Sequence, residues 1–363
     1  MHRSLLGATA LAVGAIGGTV LGYLAERTMV DPAEGPGERQ RAGGRGSAEP
    51  TSEVPHGVPR EVKAADGTRL SVMLSGPDDV PPIVLVHGMS LTKEIWTLQR
   101  QALEHAYRIV TFDLRGHGDS DDAASGEYTA HALGGDVCTV IDMLGERQCV
   151  VVGHSMGGMA LLAALAQRPD LMEGPVAGVV LINTAASAVI SGLSGGSVAA
   201  VIAFMRERAR SSLVGRALYG GLDEHGLPRG NDLATLVTRT LGVGSDGPEE
   251  AVRQVRRLVL DSRPHVAGEM WRTAGTLDEL AAARNVSVPA LIIAGARDRV
   301  LPPHHSRRLL ETLPDAELVE LTGVGHVAML ERPDEVTALI AGFARRVLGL
   351  PAGYGDRQRN AEA

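Results

Sequence analysis

The sequence predicts a doubly wound α/β architecture, a mostly parallel sheet with helices on both faces. Three observations carry that expectation. Short, wholly apolar runs alternate with stretches of helical spacing from about residue 60 to 348. Several of these runs open at their carboxyl ends into loops rich in glycine and charge, where sheets of this kind place their chemistry. One junction, Gly153-His154-Ser155-Met156-Gly157, has the spacing G-x-S-x-G between an apolar run, Cys149-Val150-Val151-Val152, and a small-residue helical run, Gly158 to Gln167. There the serine is expected on a strained strand-to-helix turn that pushes its hydroxyl out of the fold.

Residues 1–30 precede this pattern and contain twenty uncharged residues, Leu5 to Leu24, enough to span a bilayer core. The run exceeds a signal-peptide h-region and ends in a poor cleavage pattern, Val20-Leu21-Gly22. A retained membrane anchor with an extracytoplasmic folded domain is therefore the expectation, and secretion after signal cleavage the alternative. Residues 31–59 turn to Pro, Gly, Glu, Arg and Ser, a composition that reads as a flexible tether. Glu61 to Leu74, with Ala65-Asp66-Gly67-Thr68 at its centre, reads as a β-hairpin. After Pro81-Pro82 come strand runs at Ile83–Val86 and Ile109–Phe112, a helix over Thr129–Leu144, and the Ser155 junction. Further strands are expected at Gly178–Ile182, Ala290–Ala294 and Leu318–Leu321. The α/β core is thus split into 60–186 and 279–350, with a polar tail over 351–363.

Between them, over 187–278, the alternation stops. Val198–Arg208, Asp232–Leu241 and Glu250–Leu260 have helical spacing without any convincing strand, so a helical cap over the strand ends is expected. Trp96, Phe204, Met205, Met270 and Trp271 are pocket-lining candidates, although such residues are more often core. With 44% hydrophobic and 21% charged residues the composition is globular. A net charge of −8, with scattered arginines, argues against a nucleic-acid partner. Two cysteines, Cys138 and Cys149, imply neither a disulfide framework nor a cysteine-based metal site, and no cofactor is indicated.

A serine nucleophile needs a base, and the base needs an orienting group. Asp298 follows one predicted strand end and His326 another, so that Ser155, Asp298 and His326 stand at three strand ends in the chain order Ser-Asp-His. With Leu85-Val86-His87-Gly88-Met89, Phe112-Asp113-Leu114-Arg115-Gly116-His117-Gly118, Gly153-His154-Ser155-Met156-Gly157, and Gly295-Ala296-Arg297-Asp298 paired with Gly325-His326, the chain resembles the capped serine branch of the α/β-hydrolase superfamily. The resemblance covers about residues 60 to 348 and implies an eight-stranded sheet. It implies Ser155 as nucleophile, His326 as general base then acid, and Asp298 as the carboxylate that fixes the His326 tautomer. The N–H groups of Met89 and Met156 would form the oxyanion hole.

Asp113, Arg115 and His117 are expected to be structural, His154 to point away from the reacting centre, and His304 and His305 to be surface or capping residues. Relatives that open epoxides or displace halide use aspartate at the nucleophile turn, so Ser155 disfavours those activities. The expected activity is hydrolysis of a small-molecule carboxylic ester, acyl-lipid or otherwise apolar. The alternatives are a carbon–carbon-bond hydrolase, a cofactor-free haloperoxidase-like enzyme, and a non-catalytic binding protein.

Overall fold

The computed structural model describes residues 57–187, 242–244 and 247–355. The anchor expected over 1–30, residues 31–56 of the expected tether, and the cap helices expected at 198–208 and 232–241 lie outside the described residues, whereas Val58 and Pro59, the last two residues assigned to the tether, already belong to a paired strand. Among the described residues no helix is long and apolar enough to cross a membrane.

Eight strands form one sheet: β1 (Val58–Lys63), β2 (Arg69–Ser75), β3 (Pro82–Val86), β4 (Arg108–Phe112), β5 (Cys149–His154), β6 (Val176–Ile182), β7 (Ala290–Gly295) and β8 (Ala316–Leu321). Their spatial order is β1-β2-β4-β3-β5-β6-β7-β8. Pairing from β4 through β8 is parallel, whereas β2 runs antiparallel to both neighbours. The first hairpin closes as its turn residues require, with Gly67 at φ 89° and the Thr68 N–H donating to Asp66 Oδ1 at 3.1 Å.

The continuous apolar runs follow from burial of both sheet faces. Side chains alternate, so Val84 and Val86 enter one layer while Ile83 and Leu85 enter the other. The first layer is built against α2 (Ala130–Asp142) and α3 (Met156–Gln167), through Leu133, Val137, Leu161 and Leu165. The second receives Trp96, Leu103, Ile340 and Phe343 from the segment containing α1 (Thr97–Leu103) and from α6 (Pro333–Val347). At about 1.5–3 kcal/mol per fully buried large aliphatic or aromatic side chain, these two layers are the main source of stability.

Ser187 and Asp278 form an isolated antiparallel bridge, and the Glu279 N–H donates to Ala186 O at 2.7 Å. The chain therefore leaves the sheet and returns to it at one point. Two helices inside this interval, α4 (Glu249–Leu260) and α5 (Pro264–Thr276), are anchored on the core: Val252, Val255 and Leu258 join the second layer, while Val266 and Met270 join the first. Of the pocket-lining candidates, Trp96 and Met270 are fully buried in these layers, and Phe204 and Met205 lie outside the described residues.

Candidate active site

The strand order reverses beside β3, since β4 lies on one side of it and β5 on the other. A crevice forms outside the carboxyl ends of strands at such a switch point. Ser155 follows β5 and Met89 follows β3, so both stand at its rim.

Ser155 has φ 53° and ψ −120°, a conformation that side-chain-bearing residues rarely adopt. The surroundings enforce it. A Cβ on Gly153 would lie 2.6 Å from Gly158 Cα, and one on Gly157 would lie 2.5 Å from the carbonyl oxygens of Val86 and His87. The turn packs so tightly, on itself at Gly153 and against the end of β3 at Gly157, that only glycine fits two residues to either side of Ser155. Ser155 is half-buried and opens α3, whose first N–H groups carry the positive end of the helix dipole.

His326 Nε2 lies 3.1 Å from Ser155 Oγ, and His326 Nδ1 lies 2.8 Å from Asp298 Oδ2. Asp298 and His326 are both buried, and the other carboxylate oxygen, Asp298 Oδ1, accepts from the Val300 and Leu301 N–H groups, each at 2.8 Å. With Oδ1 occupied, Oδ2 is left to accept from His326 Nδ1–H, which leaves Nε2 as an acceptor for the Ser155 hydroxyl. Among the described residues no acceptor takes the N–H of Met89 or of Met156.

The loop carrying Met89 is braced from the neighbouring strand end. His87 Nε2 accepts from the Leu114 N–H at 3.0 Å and His117 Nε2 accepts from the Ser90 N–H at 3.2 Å, so both rings are neutral acceptors. Burial pushes the pKa of both down, that of His117 to about 3. Asp113 accepts from the Lys93 backbone N–H at 2.7 Å and from its ammonium at 2.5 Å, and Arg115 pairs with buried Asp136 at 2.6 Å. Asp113, Arg115 and His117 thus hold the loop in place. His154 is buried, donates from Nε2 to His326 O at 2.9 Å, and keeps its pKa well below the ordinary histidine value through burial and the neighbouring His326 ring. His305 departs from its expected surface position: it is buried, and burial lowers its pKa to about 4.

Three contributors escaped the sequence patterns. Lys93 is buried between Asp113 and Asp119. Glu331 is a buried carboxylate that accepts from the N–H groups of Gly325 at 3.0 Å and Gly244 at 2.8 Å, and burial pushes its pKa up. It ties the His326 loop to residues 242–244, whose Gly242 O in turn accepts from the His326 N–H. Asn183 immediately follows β6, a position of the same kind that singled out Asp298, yet without a glycine-rich loop to mark it.

With this geometry in place, comparison with known proteins identifies the class. A model of the alpha/beta hydrolase family matches residues 83–339, and the chain belongs to that family. It is 30% identical to epoxide hydrolase A of Mycobacterium tuberculosis, over 79% of this chain and 98% of that protein. It is 26% identical to 3-oxoadipate enol-lactonase 1 of Acinetobacter baylyi, over 77% of this chain and 95% of that protein. Among solved structures, an esterase from Rhodococcus sp. superposes with a TM-score of 0.62 at 22% identity, covering 80% of this chain and 99% of that one. The protein is therefore a hydrolase of the α/β fold.

Proposed function

We propose that this chain hydrolyses carboxylic esters through an acyl-enzyme on Ser155. The observation that supports this most directly is the line Ser155 Oγ, His326, Asp298, with contacts of 3.1 and 2.8 Å at the opening of α3. Neutral serine is a weak nucleophile, so His326 Nε2 takes its proton as Oγ attacks the substrate carbonyl. Asp298 stabilises the imidazolium so formed. The charge that collects on the former carbonyl oxygen is accepted by the N–H groups of Met156 and Met89, aided by the dipole of α3. His326 then protonates the departing alcohol, and water repeats the sequence to release the acid.

The similarity to an epoxide hydrolase does not carry over to that reaction. A serine that opened an epoxide would form a stable alkyl ether, which the same site could not hydrolyse, whereas an aspartate would form a cleavable ester. The lactonase relative favours the acyl reading, because a lactone is a cyclic ester.

Full-length protein is assayed on p-nitrophenyl esters of graded acyl length beside Ser155→Ala. The variant should lose about 10⁶-fold in kcat with its fold intact. Unchanged ester hydrolysis by Ser155→Ala would refute the assignment. Acyl-length preference then reports the substrate class. We also propose that Leu5–Leu24 anchors the enzyme in a membrane, a reading supported by twenty consecutive uncharged residues, and that its hydrolase domain lies outside the cytoplasm.

A further inference from the structure

β6 lies between β5, which carries Ser155, and β7, which leads to Asp298, so its carboxyl end is within reach of both. Three consecutive residues there hold all three loops of the site. Ile182 O accepts from the Ser155 N–H at 3.0 Å, and Thr184 Oγ1 donates to Ser155 O at 2.6 Å. Between them, the Asn183 side chain spans the other two loops. Its Oδ1 accepts from the Gly295 N–H at 2.7 Å, and the carbonyl of Gly295 accepts from the Asp298 N–H at 3.0 Å. Its Nδ2 donates to Gly325 O at 3.0 Å and to His326 O at 2.7 Å.

Asn183 is 1% exposed and has φ 45°, in the left-handed region that asparagine tolerates better than most residues. Its own N–H donates to Ile293 O on β7, so the backbone is held as firmly as the side chain. One amide therefore accepts from the segment that presents Asp298 and donates twice to the loop that presents His326. No other side-chain type of this size supplies both. An aspartate would turn a second carboxylate oxygen toward two carbonyl oxygens.

We infer that Asn183 is a positioning residue for the catalytic centre: it sets the separation between the Asp298 and His326 loops, and thereby the alignment of His326 with Ser155. This rests on the assignment of Ser155, His326 and Asp298 as the reacting centre. Asn183 touches none of the reacting atoms, so its loss should lower kcat and leave KM unchanged. A displacement of about 1 Å in such a constellation can cost up to about 100-fold.

The test uses the full-length protein with Asn183→Gly, which accepts the positive φ and deletes the amide, and Asn183→Asp, which keeps its size and shape. The readouts are p-nitrophenyl butyrate hydrolysis and the low-field proton resonance of His326 Nδ1–H, assigned by its absence in Asp298→Ala. Both variants should lose 10- to 100-fold in kcat at constant KM and lose or broaden the resonance, while circular dichroism stays native. Asn183→Asp with native kcat and an undisturbed resonance overturns the inference, as does a fall in kcat with the resonance intact. A wild-type protein that shows the resonance but hydrolyses no ester overturns the proposed reaction instead; resonance loss in the variants would still support the positioning role.

Discussion

Replacing Asp298 by asparagine isolates the tautomer argument from every other contribution of that residue. Asp298 Oδ1 is committed to two backbone donors, Val300 N–H and Leu301 N–H, both at 2.8 Å. The new amide must therefore put its oxygen at that end and its NH₂ toward His326 Nδ1. That nitrogen then becomes an acceptor and the ring proton moves to Nε2, 3.1 Å from Ser155 Oγ, where it blocks proton removal. A wrong tautomer of this kind costs about 10⁴ in kcat, or about 5 kcal/mol of barrier. Both backbone contacts survive, so stability should change little. Asp298→Ala is the control: it frees the ring to adopt either tautomer but abandons the Val300 and Leu301 donors, so it should be the less stable variant. The assay is p-nitrophenyl butyrate hydrolysis at saturating substrate, with thermal unfolding run in parallel. Asp298→Asn retaining activity within tenfold of wild type would refute the reasoning.

Three further expectations concern the supports. Lys93→Met removes the cation from a buried pair with Asp113, with side-chain exposures of 7% and 0%, and should cost about 3–5 kcal/mol in chemical denaturation; a loss below 1 kcal/mol would show that the pair is dispensable. His117 is held neutral, its pKa depressed from 6.5 to about 3, so the unfolded chain binds more protons across that window. Its stabilising contribution is complete above pH 6.5 and is lost as pH falls, by about 2 kcal/mol between pH 6.5 and 5. His117→Gln should flatten that limb of the stability–pH curve, and an unchanged slope would contradict the assignment. Finally, deletion of residues 1–30 should release the hydrolase from the membrane fraction with its kcat unaltered; equal partitioning of both forms after fractionation would refute the anchor.

Much of the fold was legible because burial on both faces leaves no choice of residue along a central strand. Ile83–Val86 and Val150–Val152 read as strands from apolar content alone. Helix α6 is not legible in the same way, since its buried residues Val336, Ile340 and Phe343 are spread along a segment that also carries Asp334, Glu335, Arg345 and Arg346. At the site, Ser155, Asp298 and His326 stood out because each lies in a glycine-bearing loop after an apolar run. Asn183 and Glu331 did not, because a polar residue that bonds only to backbone has no sequence partner to betray it.

By itself the sequence determined the sheet, the nucleophile turn and the order in which its partners follow, because these depend on local pattern and steric demand. Only the tertiary structure decided which side of Asp298 faces His326, that Lys93 neutralises Asp113, and that the end of β6 binds the loops of all three site residues. Those are contacts between strands that are neighbours in space and distant along the chain, and hydrogen-bond geometry across such distances is set by strand order and register rather than by composition.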